Sequence, residues 1–223
     1  MAAGGRDGRI DARPHAPGGR ATPGLHPFAP GGTGALLYVP AGYRDDVPAP
    51  LVLTLHGAGG SARNGLLPLQ AAADHAGLVL LSVGSTGRTW DVLLGGFGPD
   101  VAAIDGALAY VFDRVSVDAE RVVASGFSDG ASYALSLGIT NGDLFTHIAA
   151  FSPGFAAPGE PHGAPGIFIS HGTDDRVLPI DVCSRRLVPR LQQAGYAVEY
   201  HEFNGAHTVP SELAMAAARW ITG

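Results

Sequence analysis

The sequence predicts an α/β protein in which one mainly parallel sheet is flanked by helices on both faces. Short apolar runs alternate along the chain with longer segments whose apolar residues recur at helical spacing. Most of these runs are continuously apolar, as expected for strands that are buried on both faces. With 46% hydrophobic and 15% charged residues, the 223-residue chain can also bury a sizeable core.

The strands are predicted from apolar and β-branched runs that end in glycine, proline or polar residues. LVLTLH at 51–56 and LVLLSV at 78–83 are the clearest of these runs. The predicted strands are 33–39, 51–56, 78–83, 121–124, 148–151, 167–170 and 197–203.

The helices are predicted from apolar residues three and four positions apart and from capping residues. In the segment 100–112 this spacing follows Asp100, which can cap the helix. Pro189 should kink or break the helix that begins at Asp181. The predicted helices are 66–76, 100–112, 131–137, a helix from 181 onward, and 210–220.

Glycine and proline divide the chain into two regions. Of its 33 glycines and 17 prolines, 14 lie in the first 34 residues, where four arginines outnumber two aspartates. We therefore expect residues 1–34 to be flexible or loosely packed and residues 35–223 to form a single domain.

Charge and residue usage exclude several kinds of function. Residues 35–223 carry 10 arginines against 18 carboxylates, which argues against a nucleic-acid partner. The chain contains no lysine, which excludes a P-loop, a Schiff-base enzyme and a Ser-Lys hydrolase.

Cysteine usage and hydropathy indicate the compartment. Cys183 is the only cysteine, so no internal disulfide and no thiolate metal cluster can form, and we expect an inert packing residue. No apolar run reaches the roughly 18 residues of a membrane span, and no apolar signal region is seen. A cytoplasmic protein without a metal or cofactor is therefore expected.

The sharpest motif is GFSDG at 126–130, which follows a predicted strand and precedes a helix rich in small residues. A serine hydroxyl is a weak nucleophile unless it is held exposed beside a base. The strained turn of a G-x-S-x-G motif holds the hydroxyl in this exposed position, because its glycines have no side chains that would clash there. Free N–H groups at the start of the helix also point at a developing oxyanion. Ser128 is therefore a candidate nucleophile.

Two later turns supply candidate partners for Ser128 at the same edge of the sheet. HGTDD at 171–175 leaves one predicted strand, and NGAHT at 204–208 leaves the last. The order serine, acid, histidine predicts His207 as the general base. The spacing alone leaves the choice between Asp174 and Asp175 open, since one of two adjacent side chains points inward and the other faces water.

HGAGG at 56–60 follows an earlier buried strand and is the candidate loop for oxyanion binding. We expect the backbone N–H of Ala58 to be the second donor beside that of Asp129. The stretch 57–62 also fits a dinucleotide fingerprint of the form G-x-G-x-x-A. The well-placed acidic residue that a dinucleotide site needs is missing, so the oxyanion interpretation is preferred.

These motifs resemble the α/β-hydrolase superfamily, specifically its small carboxylesterases of the phospholipase/carboxylesterase and polyhydroxybutyrate-depolymerase-like groups. The resemblance runs from about residue 38 to residue 220 and rests on LHGAGG, TWD, GFSDG, FSPG, HGTDDRVLP and GAHTVP. It implies the α/β-hydrolase fold, with residues 35–223 as the catalytic domain. The chain is too short to hold a separate lid domain as well.

The resemblance also implies roles for individual positions. Ser128 looks like the nucleophile and His207 like the general base. Ala58 and Asp129 look like the oxyanion donors. The acid in similar proteins stands four residues after the histidine of the HG turn, which selects Asp175. Relatives often have glutamine, alanine or methionine after the serine, so the aspartate here brings a negative charge near the oxyanion unless its side chain turns away.

The predicted function is that of a serine carboxylic-ester hydrolase that forms an acyl-enzyme on small or exposed esters. A thioesterase and a polyester depolymerase with the same triad remain open, as does a catalytically silent binding protein on this fold. Trp90, Phe155 and Val177 lie in predicted strand-end turns and are candidates for an acyl or alcohol pocket. The expected partner is a small-molecule ester.

Overall fold

The computed structural model describes residues 7–29 and 32–223, which form one eight-stranded sheet with helices on both faces. The strands are β1 (Gly24–Phe28), β2 (Ala35–Val39), β3 (Ala49–Leu55), β4 (Val79–Val83), β5 (Val117–Phe127), β6 (His147–Phe151), β7 (Gly166–Gly172) and β8 (Val198–Phe203). The helices are α1 (Ala62–Leu66), α2 (Gln70–Ala76), α3 (Pro99–Phe112), α4 (Asp129–Thr140), α5 (Ser184–Gln193) and α6 (Ser211–Thr222), with a 3₁₀ turn at Asp91–Leu94. Within the described ranges, no helix has the length and apolar character that crossing a bilayer requires.

The sheet is mainly parallel, as predicted. Its strand order is β1-β2-β4-β3-β5-β6-β7-β8. The strands from β4 to β8 in this order pair in parallel, whereas β2 is antiparallel to β4 and β1 is antiparallel to β2. The carboxyl ends of β3, β5, β7 and β8 therefore meet at one edge of the sheet, where the turns that follow them come together.

Alternate residues of the central strands build two apolar layers, one on each face of the sheet. Leu51, Leu53 and Leu55 of β3 join a cluster with residues of α3, α4 and α5. Val52, between them, joins a second cluster with residues of α1, α2 and α6. Because both faces are buried, these segments are continuously apolar in sequence.

Proline divides one predicted helix in two but lies within another that stays continuous. The predicted helix 66–76 is divided into α1 and α2, and Pro68 lies between them. Proline lacks the N–H that a continuous helix would use and disfavours helical geometry in the residue before it. Pro189, in contrast, lies inside α5, which continues past it to Gln193.

Residues 1–34 are predicted to be flexible or loosely packed, and positions 1–6 and 30–31 of this segment lie outside the described residues. Residues 7–29 make several defined contacts with the rest of the chain. They contain β1, which pairs with the whole length of β2. Ile10 is 1% exposed and belongs to the core, and its backbone N–H donates to Oδ1 of the buried Asn141 at 2.9 Å. Composition does not reveal this packing, because backbone hydrogen bonds and one apolar side chain hold a segment that is otherwise polar and glycine-rich.

An ion-pair cluster fastens the same segment to the end of α4. The two guanidinium nitrogens of Arg9 each lie 2.8 Å from an oxygen of Asp143, and Nη2 of Arg13 lies 2.7 Å from its Oδ2. Arg9 also donates to the carbonyl oxygen of Thr140 at 2.7 Å. The hydrogen bonds from Arg9 are the largest cause that holds the pKa of Asp143 well below its usual range.

The first and last strands in the order, β1 and β8, form the edges of the sheet. β1 reads GLHPF and contains Pro27, which has no N–H to donate. β8 reads VEYHEF, and its Glu199 and Glu202 are exposed. Both edges therefore carry residues that interrupt further strand pairing.

We expect Asp143→Asn to lower the free energy of unfolding by about 1 kcal/mol at neutral pH, because partly exposed ion pairs contribute modestly. The folded-state pKa of Asp143 is depressed, so its contribution is complete above the ordinary aspartate pKa of about 4. The contribution is lost as the pH falls through the lowered folded value. In urea unfolding, the difference in the free energy of unfolding between wild type and variant should therefore become smaller as the pH is lowered from about 7 to about 3.

Asp118→Asn is the control for this comparison, because its ion pair with Arg121 spans only three residues. Asp118→Asn should lower the free energy of unfolding by less than Asp143→Asn does. Equal stability of Asp143→Asn and the wild type at neutral pH would show that the cluster does not hold the segment.

Candidate active site

Ser128 lies in a sharp turn between β5 and α4. Its φ is 58° and its ψ is −121°, a conformation that residues with a Cβ rarely adopt. The backbone N–H of Ser128 donates to the carbonyl oxygen of Phe151 at 2.9 Å, which fixes the turn against β6. The residue is largely buried, with 9% of its surface exposed.

The two glycines of GFSDG are required by the packing of backbone on backbone. A Cβ on Gly126 would lie 2.2 Å from the carbonyl oxygen of Gly130. A Cβ on Gly130 would lie 2.1 Å from the carbonyl oxygen of Leu55 at the end of β3. Neither contact can be relieved by a side-chain movement, so any larger residue would displace the turn that carries Ser128.

His207 bridges Ser128 and Asp175. Its Nε2 lies 2.8 Å from Oγ of Ser128, and its Nδ1 lies 2.5 Å from Oδ2 of Asp175. Because an ionised carboxylate only accepts, Nδ1 carries the proton and Nε2 is free to accept from the serine hydroxyl. The turns after β5, β7 and β8 thus bring the three predicted side chains together, while Asp174 is exposed.

The carboxylate of Asp175 is fully buried and fully hydrogen-bonded. Its Oδ1 accepts from the backbone N–H groups of Val177 and Leu178, both at 2.9 Å, and its side chain has no exposed surface. Burial raises the pKa of Asp175, but the hydrogen bonds from His207 and the two N–H groups outweigh it. The net pKa is below the ordinary value, so the group is ionised and oriented toward the imidazole.

A second histidine, His171, also contacts the carboxylate of Asp175. It is fully buried, and its Nε2 lies 2.8 Å from the carbonyl oxygen of Leu178 and 3.2 Å from Oδ2 of Asp175. Its Nδ1 lies 2.7 Å from Oγ of Ser184 at the start of α5. Burial lowers the pKa of His171, so the ring is neutral. The sequence marks His171 only as the start of the HG turn, and nothing there predicts that its side chain packs against Asp175.

A close approach of backbones also brings the acid turn and the histidine turn together. A Cβ on Gly172 would lie 2.4 Å from the carbonyl oxygen of Gly205. The backbone N–H of Asp174 donates to that same oxygen at 2.9 Å. The ring of Phe127 packs against the His207 imidazole with centroids 4.6 Å apart. The distance between acid and base is therefore set by main-chain packing.

The turn at 57–60 lies against the nucleophile. A Cβ on Gly57 would be only 3.3 Å from Cβ of Ser128. Within the described residues, the backbone N–H groups of Ala58 and Asp129 have no hydrogen-bond acceptor. The two predicted oxyanion donors are therefore available on the two elements that flank Ser128.

Thr89 holds the side chain of Asp129. Its hydroxyl donates to Oδ2 of Asp129 at 2.6 Å. The carbonyl oxygen of the preceding residue, Arg88, accepts from the N–H of Gly59 at 2.7 Å. The segment at 88–89 thus contacts both the 57–60 turn and Asp129, which carry the two predicted oxyanion donors. In the sequence, Thr89 is part of TWD and nothing indicates a role for it, because the contact joins residues 40 positions apart.

The three candidate pocket residues lie in different surroundings. Trp90 is fully buried, stacks on Tyr133 and donates from Nε1 to the carbonyl oxygen of His56 at 2.9 Å. It therefore supports the HGAGG turn, because a buried indole packs its ring and satisfies its N–H. Phe155 is 37% exposed and lines a cavity of about 590 Å³ beside α5. Val177 is 66% exposed on the acid turn.

The described residues offer neither a metal site nor a reactive thiol. In residues 7–29 and 32–223, no group of three or more His, Cys, Asp or Glu side chains could hold a metal ion. Cys183 is 7% exposed at the start of α5, and burial raises the pKa of its thiol. The thiol is therefore protonated near neutral pH, which makes it a poor nucleophile.

Comparisons with known proteins identify a family to which the chain is similar. A family model described as phospholipase/carboxylesterase matches residues 102–222, which include Ser128, Asp175 and His207. NocK of Nocardia uniformis is 34% identical over 143 residues, and feruloyl esterase B of Thermothelomyces thermophilus is 32% identical over 125 residues. These alignments cover 59% and 52% of this chain and 42% of each relative, so the chain spans less than half of either protein.

The carboxylesterase of Bacillus cereus is a similar solved structure. It superposes with a TM-score of 0.61 at 23% sequence identity, over 85% of this chain and 93% of that protein. At this identity the likeness shows a shared fold.

We expect a fluorophosphonate probe to add once to the wild-type protein, at Ser128, as measured by intact mass with Ser128→Ala as the blank. Asp175→Asn should slow this labelling by a factor on the order of 10³, because an amide no longer holds the imidazole in the reactive tautomer. Asp174→Asn is the matched control, and it should be labelled within a few-fold of the wild-type rate. Equal rates for the two variants, or no adduct on folded wild type, would contradict the assignment.

Proposed function

The chain belongs to the phospholipase/carboxylesterase family of α/β-hydrolases, and we propose that it is a serine carboxylic-ester hydrolase. The observation that carries the proposal is the position of His207, within hydrogen-bonding distance of both Ser128 and Asp175. This is the arrangement that converts a weak hydroxyl nucleophile into a reactive one. The esterase relative from Thermothelomyces supports the same chemistry.

The reaction proceeds by two acyl transfers. His207 Nε2 takes the proton of Ser128 as Oγ attacks the ester carbonyl carbon, and the carbonyl oxygen becomes an oxyanion. The tetrahedral species collapses to the acyl-enzyme when the C–O bond to the alcohol breaks and His207 protonates that alcohol. Water, deprotonated by His207, then attacks the acyl carbon, and the acid leaves as Ser128 recovers its proton. Asp175 stays ionised throughout and stabilises the imidazolium.

The oxyanion is stabilised by the backbone N–H groups of Ala58 and Asp129. Both groups lack an acceptor within the described residues, and Asp129 is the first residue of α4. The start of a helix carries a partial positive charge, which adds to the two hydrogen bonds.

Thr89 limits the electrostatic repulsion between the Asp129 carboxylate and this oxyanion. A second negative charge close to the developing one would oppose the transition state. The 2.6 Å hydrogen bond from Thr89 gives the carboxylate a fixed partner and restrains its orientation. We assign Thr89 a positioning role on this ground.

We expect Thr89→Val to lower kcat about tenfold with little change in KM, because one charge-assisted hydrogen bond is lost and the freed carboxylate opposes the oxyanion. Thr89→Ser should restore the rate. Adding Asp129→Asn to Thr89→Val should recover most of the loss, since it removes the charge. An equal loss with and without Asp129→Asn would show that Thr89 acts only through packing.

The function itself is tested with a panel of p-nitrophenyl esters of increasing acyl length, methyl ferulate, an acyl thioester and a soluble polyester. Methyl ferulate is included because of the feruloyl esterase relative. We expect ester hydrolysis that Ser128→Ala lowers by about 10³-fold or more. Faster turnover of the thioester or the polyester would move the protein to those alternatives. A protein that is labelled by the fluorophosphonate but hydrolyses none of these substrates would contradict the proposal.

A further inference from the structure

A cavity of about 590 Å³ lies beside α5 and is lined by none of Ser128, Asp175 and His207. One wall is the segment that follows β6, and the other is the side of α5 with the turn after it. Its lining includes Phe155, Cys183, Arg186, Leu187, Arg190 and Tyr196. The volume is in the range of small-molecule sites in proteins.

Arg186 and Arg190 are the only charged residues in the lining. They are four positions apart on α5, so their side chains project from the same side of the helix. Neither guanidinium has a hydrogen bond or ion pair within the described chain, whereas the adjacent Arg185 pairs with Asp181 and Glu202. In a chain with a net charge of −6, this cavity therefore presents two unpaired positive charges and no negative one.

The remaining surface of the cavity is mostly apolar. Phe155 is 37% exposed, and Leu187 is half-buried. Tyr196 is also half-buried, and its hydroxyl has no partner among the described residues. An apolar wall beside two guanidinium groups fits a ligand with an apolar body and a carboxylate, because arginine binds a carboxylate through paired hydrogen bonds.

The cavity begins close to the nucleophile turn. Gly154, which also lines it, donates from its N–H to Oγ of Ser132 at 2.9 Å. That hydroxyl lies 3.4 Å from the carbonyl oxygen of Ser128. The cavity is therefore joined to the backbone of Ser128 through two hydrogen bonds.

We propose that this cavity binds an organic carboxylate with an aromatic or aliphatic body, held by Arg186 and Arg190 and packed against Phe155. The ligand is either a free acid or the acid end of a larger ester. The binding does not depend on the proposed function, since none of the three catalytic candidates lines the cavity.

The test is a ¹⁹F NMR titration of the whole protein with 3-(4-fluorophenyl)propanoate and, separately, with the uncharged 3-(4-fluorophenyl)propanamide. We expect the acid to bind at least about tenfold more tightly than the amide, and added salt to weaken it. The double variant Arg186→Gln/Arg190→Gln should weaken binding of the acid by about tenfold or more. Arg186→Lys/Arg190→Lys should recover part of that loss.

Arg219→Gln is the matched control, because Arg219 is exposed on α6 and is not among the cavity-lining residues. It should leave the Kd for the acid unchanged. Phe155→Ala should weaken the binding of the fluorophenyl acid but leave the binding of acetate, which has no ring, unchanged. Equal binding of acid and amide, or an equal Kd in wild type and Arg186→Gln/Arg190→Gln, would overturn the proposal.

A kinetic arm separates the two sources of the carboxylate. If the cavity receives the acid end of a substrate, the p-nitrophenyl monoester of a dicarboxylic acid should have a lower KM than its neutral methyl diester, and the double arginine variant should abolish that difference. If the ligand is a free acid, the titration should show binding while the two esters have equal KM values. A protein without esterase activity would still give the titration result, so failure of the proposed function is seen separately.

Discussion

The contact of backbone with backbone at the end of β5 is the constraint on which the site depends. Gly130 stands where a Cβ would lie 2.1 Å from the carbonyl oxygen of Leu55, and Gly126 is equally closed by Gly130. This contact seats the start of α4 on the ends of β3 and β5. It leaves Ser128 at a φ of 58°, with its hydroxyl directed toward His207. The strain at one residue is maintained by the packing of the whole sheet around it.

Burial confines proton transfer to one histidine. His56 and His171 flank the site, and burial lowers the pKa of each of them. His56 donates from Nδ1 to the carbonyl oxygen of Gly57 and accepts from the N–H of Ser85, so its ring is a structural link in the turn. His207 alone keeps some exposed side-chain surface, 14%, and contacts both the hydroxyl and the acid. Of the three histidines, His207 is therefore the one positioned to take a proton from Ser128.

The strand pattern and the positions of the turns could be predicted from the sequence, since burial on both faces leaves continuous apolar runs and strand ends carry glycine. The long-range contacts could not. Thr89 meets Asp129 across 40 residues, and His171 turns its ring onto Asp175, without any local pattern. The environment of Trp90 is hidden from the sequence for a related reason: its place at a predicted strand end suggests a pocket rim, whereas its indole packs inward on Tyr133. The packing of Ile10 depends on hydrogen bonds that composition does not record.

The two edges of the sheet bear on how copies of the chain behave at high concentration. A strand from a second molecule that approached β1 would find no donor at Pro27. At β8 it would meet the exposed carboxylates of Glu199 and Glu202. Edge-to-edge assembly into a continuous intermolecular sheet is thus disfavoured at both ends. By pairing with β2 along its whole length, β1 keeps the longer apolar run ALLYV of β2 from forming the edge.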